Sequence, residues 1–187
     1  MKVQPHVYLA LVHHPIVNMA GEVVTTSVTN LDVHDIARIA RTYACKGYFV
    51  VTPIHAQRQM VDKLKGHWEH GPKPLRVHPR KQALDLVKPV ETLDQAMEAV
   101  YEKENAYPTM VATSAKPSRR FIGFSGLKDV IYSGAPVMLV FGTGWGLAPQ
   151  ALERCNLLLE PINGLDGYNH LPVRAAVAII LDRLLTR

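Results

Sequence analysis

Only two cysteines occur in 187 residues, Cys45 and Cys155, and they form neither a CxxC pair nor a disulfide framework. Both fall in segments that read as helical and are expected to be buried thiols. No apolar run approaches the ~20 residues that cross a bilayer. Met1 to Ala10 carries no charged n-region, apolar core and small-residue cleavage site of the kind a signal peptide needs. These absences predict a soluble, cytoplasmic protein with no membrane partner. Nine histidines are present, but His13 with His14 and His67 with His70 have no cysteine or carboxylate at a metal-ligand spacing, so no metal is expected.

A hydrophobic share of 48% with 20% charged residues excludes a disordered or fibrous chain. The length suits one domain, 1–187, large enough to bury its own core. Twenty-one Lys and Arg against 16 Asp and Glu leave +5, which permits contact with a polyanion without establishing it. No internal repeat or low-complexity linker divides the chain.

Apolar runs alternate with amphipathic stretches, the pattern of helices covering a mostly parallel sheet, so the fold class is α/β. Strand or extended segments are expected at 6–12 and 23–29, where β-branched residues concentrate. A helix capped by Asp32, with the stripe Ile36, Ala40 and Tyr43, should stop at Gly47, followed by a strand at 48–52. A basic helix is expected over 55–65. Thr92 and Gln95 have capping-box spacing and predict a helix to about Asn105. Shorter units follow: strands at 109–113, 137–141 and 157–160, helices at 126–133 and 148–155, a loop at 161–171. Pro172 in a first helical turn begins a last helix whose Val173, Ala176, Val177, Ile180, Leu181 and Leu184 form a broad apolar face.

Three loops each follow a strand, where open α/β sheets bind ligands. The first, Thr113 to Pro117, offers hydroxyls and backbone groups. The second, Phe141 to Leu147, holds Gly142, Gly144 and Gly146, which let backbone approach a ligand or take positive φ. Its GxGxG spacing is neither a dinucleotide fingerprint nor a P-loop. The third, "PINGLDGYNHLPV", offers Asn163, Asn169 and His170 as hydrogen-bonding groups.

The succession "FGTGWGL", "LLLEPI" and "GLDGYNHLPVRAAVAIILDRLL" resembles the carboxyl half of the SPOUT class of S-adenosylmethionine-dependent RNA methyltransferases. "TNLDVHDIARIARTYACKGYFVVTP" resembles the segment of the SpoU branch in which an N-x-G-x-x-x-R-T helix supplies an arginine to the active site. Arg41 and Thr42 match R-T, whereas Asp35 and Ala37 stand where that branch has asparagine and glycine. The acidic residue of the branch's G-x-E-x-x-G loop is also absent, with Gly144 in its place. The resemblance spans nearly the whole chain. It implies helices on both faces of the sheet, a deep trefoil knot near the carboxyl end, and a homodimer whose active sites the partner completes.

It also implies a pocket for S-adenosylmethionine built from Thr113, Ser114, Gly142, Thr143, Gly144, Gly146, Leu147, Ile162, Asn163, Asn169, His170 and Leu171. Arg41 is the expected catalytic or substrate-orienting cation, with Arg38 and Asp35 beside it, because a guanidinium clamps phosphate or stabilises a developing oxyanion. Asp35 can serve as a general base or simply favour the helix dipole. Lys116, Arg119 and Arg120 form a candidate phosphate-binding cluster for the RNA, and Trp68 either stacks on a base or packs against the protein. The expected activity is methylation of tRNA or rRNA, at base or ribose. The departures at Asp35 and Gly144 keep open an RNA-binding or cofactor-sensing protein without turnover. A nucleotide-dependent dehydrogenase fits the glycine spacing poorly.

Overall fold

The computed structural model describes residues 4–70, 78–115 and 121–186. Its centre is a parallel sheet of β1 (Val7–Val12), β4 (Gly47–Val51), β5 (Val87–Val90), β6 (Thr109–Ala112), β7 (Val137–Gly142) and β8 (Leu157–Leu158), in the order β5-β4-β1-β7-β6-β8. A short antiparallel pair, β2 (Ile16–Val17) and β3 (Val23–Val24), lies apart. The helices are α1 (Asn30–Thr42), α2 (His55–His70), α3 (Pro79–Leu84), α4 (Leu93–Glu104), α5 (Phe124–Ile131), α6 (Pro149–Glu153) and α7 (Val173–Leu185).

Side chains alternate across the strands, and each face has its own core. Val7, Leu9 and Leu11 of β1, with Val137, Leu139 and Phe141 of β7, pack among Ile36 of α1, Leu84 of α3, Leu127 of α5 and Leu181 of α7. Tyr8, Ala10 and Val12, with Met138 and Val140, meet Ala96 and Val100 of α4 and Ala151 of α6. Helices therefore cover both faces, and the inner strands are apolar throughout because neither face meets water.

Several boundaries differ from the sequence expectation for physical reasons. Thr29, not Asp32, caps α1: its hydroxyl accepts from the Asp32 N–H at 3.1 Å and donates to the Asp32 carboxylate at 2.7 Å. The helix stops at Thr42, where Ala44 takes φ +55°, and Gly47 opens β4 instead. A Cβ at Gly47 would lie 3.0 Å from the Tyr8 ring, which accounts for glycine there. The 23–29 segment is a strand only at Val23–Val24. Cys45 and Cys155 lie just beyond α1 and α6 rather than inside helices; Cys45 is buried and Cys155 half-buried. The Thr92 cap stands, its hydroxyl accepting from the Gln95 N–H.

Candidate active site

Parallel strands all end at one edge, and a cavity of about 540 Å³ opens beyond the ends of β6, β7 and β8. Three segments ring it: Thr113 to Ala115, Phe141 to Gly146, and Glu160 to Ile162. Thr26, Ser27 and Asp32, which follow β1 in the chain, wall one side, and Asn169 to Val173 lead from it into α7.

The glycine loop is stitched to the segment after β1. The Thr143 hydroxyl donates to the Val12 carbonyl at 3.0 Å and lies 2.5 Å from the Thr26 hydroxyl. The Trp145 N–H donates to the Val17 carbonyl, and the Val17 N–H to that of Gly146. Gly144 takes φ +56°, and a Cβ there would sit 2.9 Å from Ile16 Cδ1; a Cβ at Gly142 would meet the Leu147 nitrogen at 2.7 Å. Two of the three glycines thus stand where no side chain fits, and their backbone forms the cavity wall. Across it, Asn169 donates to the Ala115 carbonyl at 2.7 Å, tying the third loop to the first.

Behind Thr26 lies His13, fully buried. Its Nδ1 is 3.1 Å from the Thr26 hydroxyl, and its Nε2 has no partner. Burial pushes its pKa down to about 4, against an upward pull from Asp32.

Of the sequence-predicted cofactor residues, Thr113, Ser114, Gly142, Thr143, Gly144, Gly146, Ile162, Asn169, His170 and Leu171 line the cavity. Leu147 and Asn163 do not. Leu147 is buried in a bridge to Ile16, and Asn163 faces solvent. Asp35 and Arg38 line a separate groove between α1 and α7, and Arg41, exposed on α1, lines neither. Arg174 connects the two spaces: it donates to Asp32 at 3.0 Å and approaches Asp35 at 3.5 Å. Lys116, Arg119 and Arg120 lie outside the described residues. Trp68 packs against the core, with the rings of His34, His67 and His78 and the Arg80 guanidinium around it. Among the described residues no three His, Cys, Asp or Glu gather as a metal site.

Sequence reasoning missed Thr26, Ser27, Asp32 and Glu160. Thr26 and Ser27 read as strand, Asp32 as a cap and Glu160 as a strand end, and nothing local signals that the fold gathers them.

Residues 6–186 match the SAM-dependent RNA methyltransferase family. The chain belongs to that family. It is 45% identical over 180 residues to a tRNA (guanine-N(1)-)-methyltransferase of Oleidesulfovibrio alaskensis, an alignment covering 96% of this chain and 42% of that protein. An uncharacterized protein of Aquifex aeolicus is 38% identical over 188 residues, 99% of this chain and 91% of its own length. The fold is also that of a SpoU methyltransferase of Streptomyces viridochromogenes solved with AdoMet, at a TM-score of 0.57, 17% identity, and coverage of 99% of this chain and 58% of that one. The chain spans less than half the length of the tRNA methyltransferases it matches.

The cavity's residues fit S-adenosylmethionine. Its volume suits a ligand of that size. Its glycine loop brings main chain to the wall, Thr113 and Ser114 bring hydroxyl-bearing residues, and among the described residues Asp32 and Glu160 are the acidic residues that line it.

Proposed function

We propose that the protein is an S-adenosylmethionine-dependent methyltransferase of tRNA that holds its cofactor in the cavity beyond β6, β7 and β8. The observation that carries this is the family's pocket chemistry gathered at one edge: ten of the twelve expected cofactor residues line one cavity. When bound, the cofactor supplies an electrophilic methyl group. The chain's part is then mostly positioning. The backbone of Gly142 to Gly146, with Ile162 and Leu171, holds the adenosyl end. Thr113 and Ser114 border it.

The relatives' name directs the reaction to N1 of a guanine, an atom that loses a proton on methylation. Asp32 lies at the cavity wall, oriented by Thr29 and Arg174, and is the carboxylate on which that proton can be taken. Asp35, one turn on, holds the other side of Arg174, so its part is to position rather than to touch the reacting atoms. Arg38 and Arg41 of α1, with Lys116, Arg119 and Arg120, are the proposed contacts to RNA phosphates.

The same reading carries one methyltransferase domain over 1–187, a carboxyl-terminal trefoil knot, a cytoplasmic location and a homodimer. Leu31, Leu165, Tyr168 and Leu171 are exposed, apolar surface that a second copy would cover. No described helix is long and apolar enough to cross a membrane.

Calorimetric titration with S-adenosylhomocysteine, with NAD as control, tests the pocket. One micromolar site per chain is expected, lost in Gly144→Val, whose side chain meets Ile16 at a left-handed φ. Incubation of the protein with tRNA and labelled cofactor then tests the reaction. Unchanged affinity in the variant, or a preference for NAD, would refute the reading, and cofactor binding with no methyl transfer would favour a protein that has lost turnover.

A further inference from the structure

The glycine loop carries one side chain that neither its turn nor the cofactor site accounts for. Thr143 to Gly146 form a tight turn, closed by the Gly146 N–H on the Thr143 carbonyl at 3.0 Å, with Gly144 at φ +56°. Such turns favour glycine, asparagine, aspartate, serine and proline. Here the residue after Gly144 is Trp145, which is 54% exposed. Its main chain is held in place: the Trp145 N–H donates to the Val17 carbonyl at 3.2 Å, and the Val17 N–H to the Gly146 carbonyl at 2.9 Å. Among the described residues no aromatic ring or cation stacks on its indole. Ser27, Gly144, Trp145, His170, Leu171 and Pro172 both line the cavity and are exposed, so they mark its mouth. Trp145 is the largest of them.

We infer that an unpaired base of the substrate RNA stacks on Trp145 while the methyl group is transferred, so that the substrate class is RNA whose acceptor lies in a loop or is swung out of a helix. The inference rests on the proposed function above. A methyl acceptor has to come within bonding distance of a donor held in the cavity, and it arrives through the mouth that Trp145 borders. The part of a nucleotide that fits an indole is the flat face of its base. In an RNA duplex that face is covered by the neighbouring pairs, and a protein meets sugars, phosphates and groove edges instead. A free face exists where the base is unpaired or extruded. N1 of guanine, the acceptor proposed above, lies on the pairing edge and demands the same exposure. The main chain beneath the ring needs no ordering on binding, because three hydrogen bonds already hold it. Every base has a stacking face, so Trp145 selects the unpaired state of the nucleotide and leaves base identity to polar groups.

Trp68 and Trp145 are the protein's two tryptophans, so Trp68→Phe leaves Trp145 as the indole reporter. Without RNA, acrylamide should quench its fluorescence, as for an exposed indole. tRNA added in the presence of S-adenosylhomocysteine should quench it and shield it from acrylamide. A long, fully paired RNA duplex, with the same phosphates but its base faces covered, should do neither. With Trp68 intact, Trp145→Ala and Trp145→Leu should each lower kcat/KM for tRNA roughly 5- to 150-fold, with S-adenosylhomocysteine affinity within about twofold of the parent. Trp145→Phe, which keeps an aromatic face, should lose less than about threefold. An equal loss of S-adenosylhomocysteine affinity would mean that the ring touches the cofactor and would overturn the inference. So would a leucine variant as active as the phenylalanine variant, a tRNA titration that leaves the fluorescence unchanged, or a duplex that acts as tRNA does. An indole that acrylamide cannot reach before RNA is added would overturn it too, as the mark of a second copy covering the ring. If Trp68→Phe does not fold, the kinetic comparison decides. A parent chain that binds S-adenosylhomocysteine but methylates no tRNA would refute the proposed reaction, and the tRNA titration would still decide the stacking.

Discussion

His13 shows how a residue outside the cavity constrains it. The Thr143 hydroxyl proton points to the Val12 carbonyl, so the 2.5 Å contact between Thr143 and Thr26 is filled by the Thr26 proton. Thr26 must then accept from Nδ1–H of His13, which leaves Nε2 as an unprotonated and buried nitrogen without a partner. Protonating Nε2 would bury a charged donor with nothing to receive it, and this burial lowers the pKa to about 4 from its ordinary 6.5. Because the folded value lies below the unfolded one, the unfolded chain binds the extra proton in this window. Stability contributed by neutral His13 is complete above about pH 6.5 and drains as pH falls towards 4. The shift corresponds to roughly 3 kcal/mol at most. Urea midpoints at pH 7 and pH 4.5 should show the gap between the parent and His13→Asn shrinking by up to that amount on acidification. A gap independent of pH would mean that His13 is not held neutral.

At the scale of elements, α1 meets both the core and the cavity, and its first turn does two jobs. The Thr29 hydroxyl accepts from the Asp32 N–H and donates to the Asp32 carboxylate, while the same carboxylate receives Arg174 from the first turn of α7. Thr29→Ala removes one cap and one of the restraints on Asp32. It should cost about 1 kcal/mol in thermal or urea unfolding. Methyl transfer should fall more than S-adenosylhomocysteine binding, because Asp32 and not the glycine wall is disturbed; equal falls in both would detach Asp32 from the reaction. This helix also marks where sequence reading stops. Its apolar stripe was legible, and so was the Thr92 cap of α4, because both are signals between residues three or four apart. The α1 stop was not: Gly47 is the expected punctuation, but the turn falls at Ala44, and Gly47 is reserved for the Tyr8 ring from another strand. Helix α5 begins at Phe124, two residues before the expected start, under a cap borrowed from Glu160, 36 positions away. The glycine loop announced itself because glycine at positive φ is a local choice. Thr26, Asp32 and Glu160 did not, since only the parallel sheet brings their segments to one edge.

For the whole molecule, the two apolar layers share every inner strand: Leu9 and Leu139 face one layer, Ala10 and Met138 the other. Neither layer can melt while the strands between them stay in register, because a strand that loses one covering exposes the sheet it would have to maintain. The described chain should therefore unfold as one cooperative unit, as the single domain proposed above requires. Its two tryptophans report from different places, Trp68 packed against the layer under α1 and α2, and Trp145 on the exposed glycine loop at the cavity. Urea unfolding followed by far-UV circular dichroism should coincide with the fluorescence of Trp145→Phe, in which Trp68 remains, and with that of Trp68→Phe, in which Trp145 remains, each against its own variant's dichroism. Leu181→Ala in one layer and Met138→Ala in the other should each cost roughly 2–5 kcal/mol and shift every probe together. If the Trp145 signal moved alone, at lower urea, the cavity loops would be a separately melting unit, and the glycine wall would need its ligand to be ordered. Coincident curves would instead mean that the sheet delivers the wall already formed, so that binding free energy is not spent on ordering it.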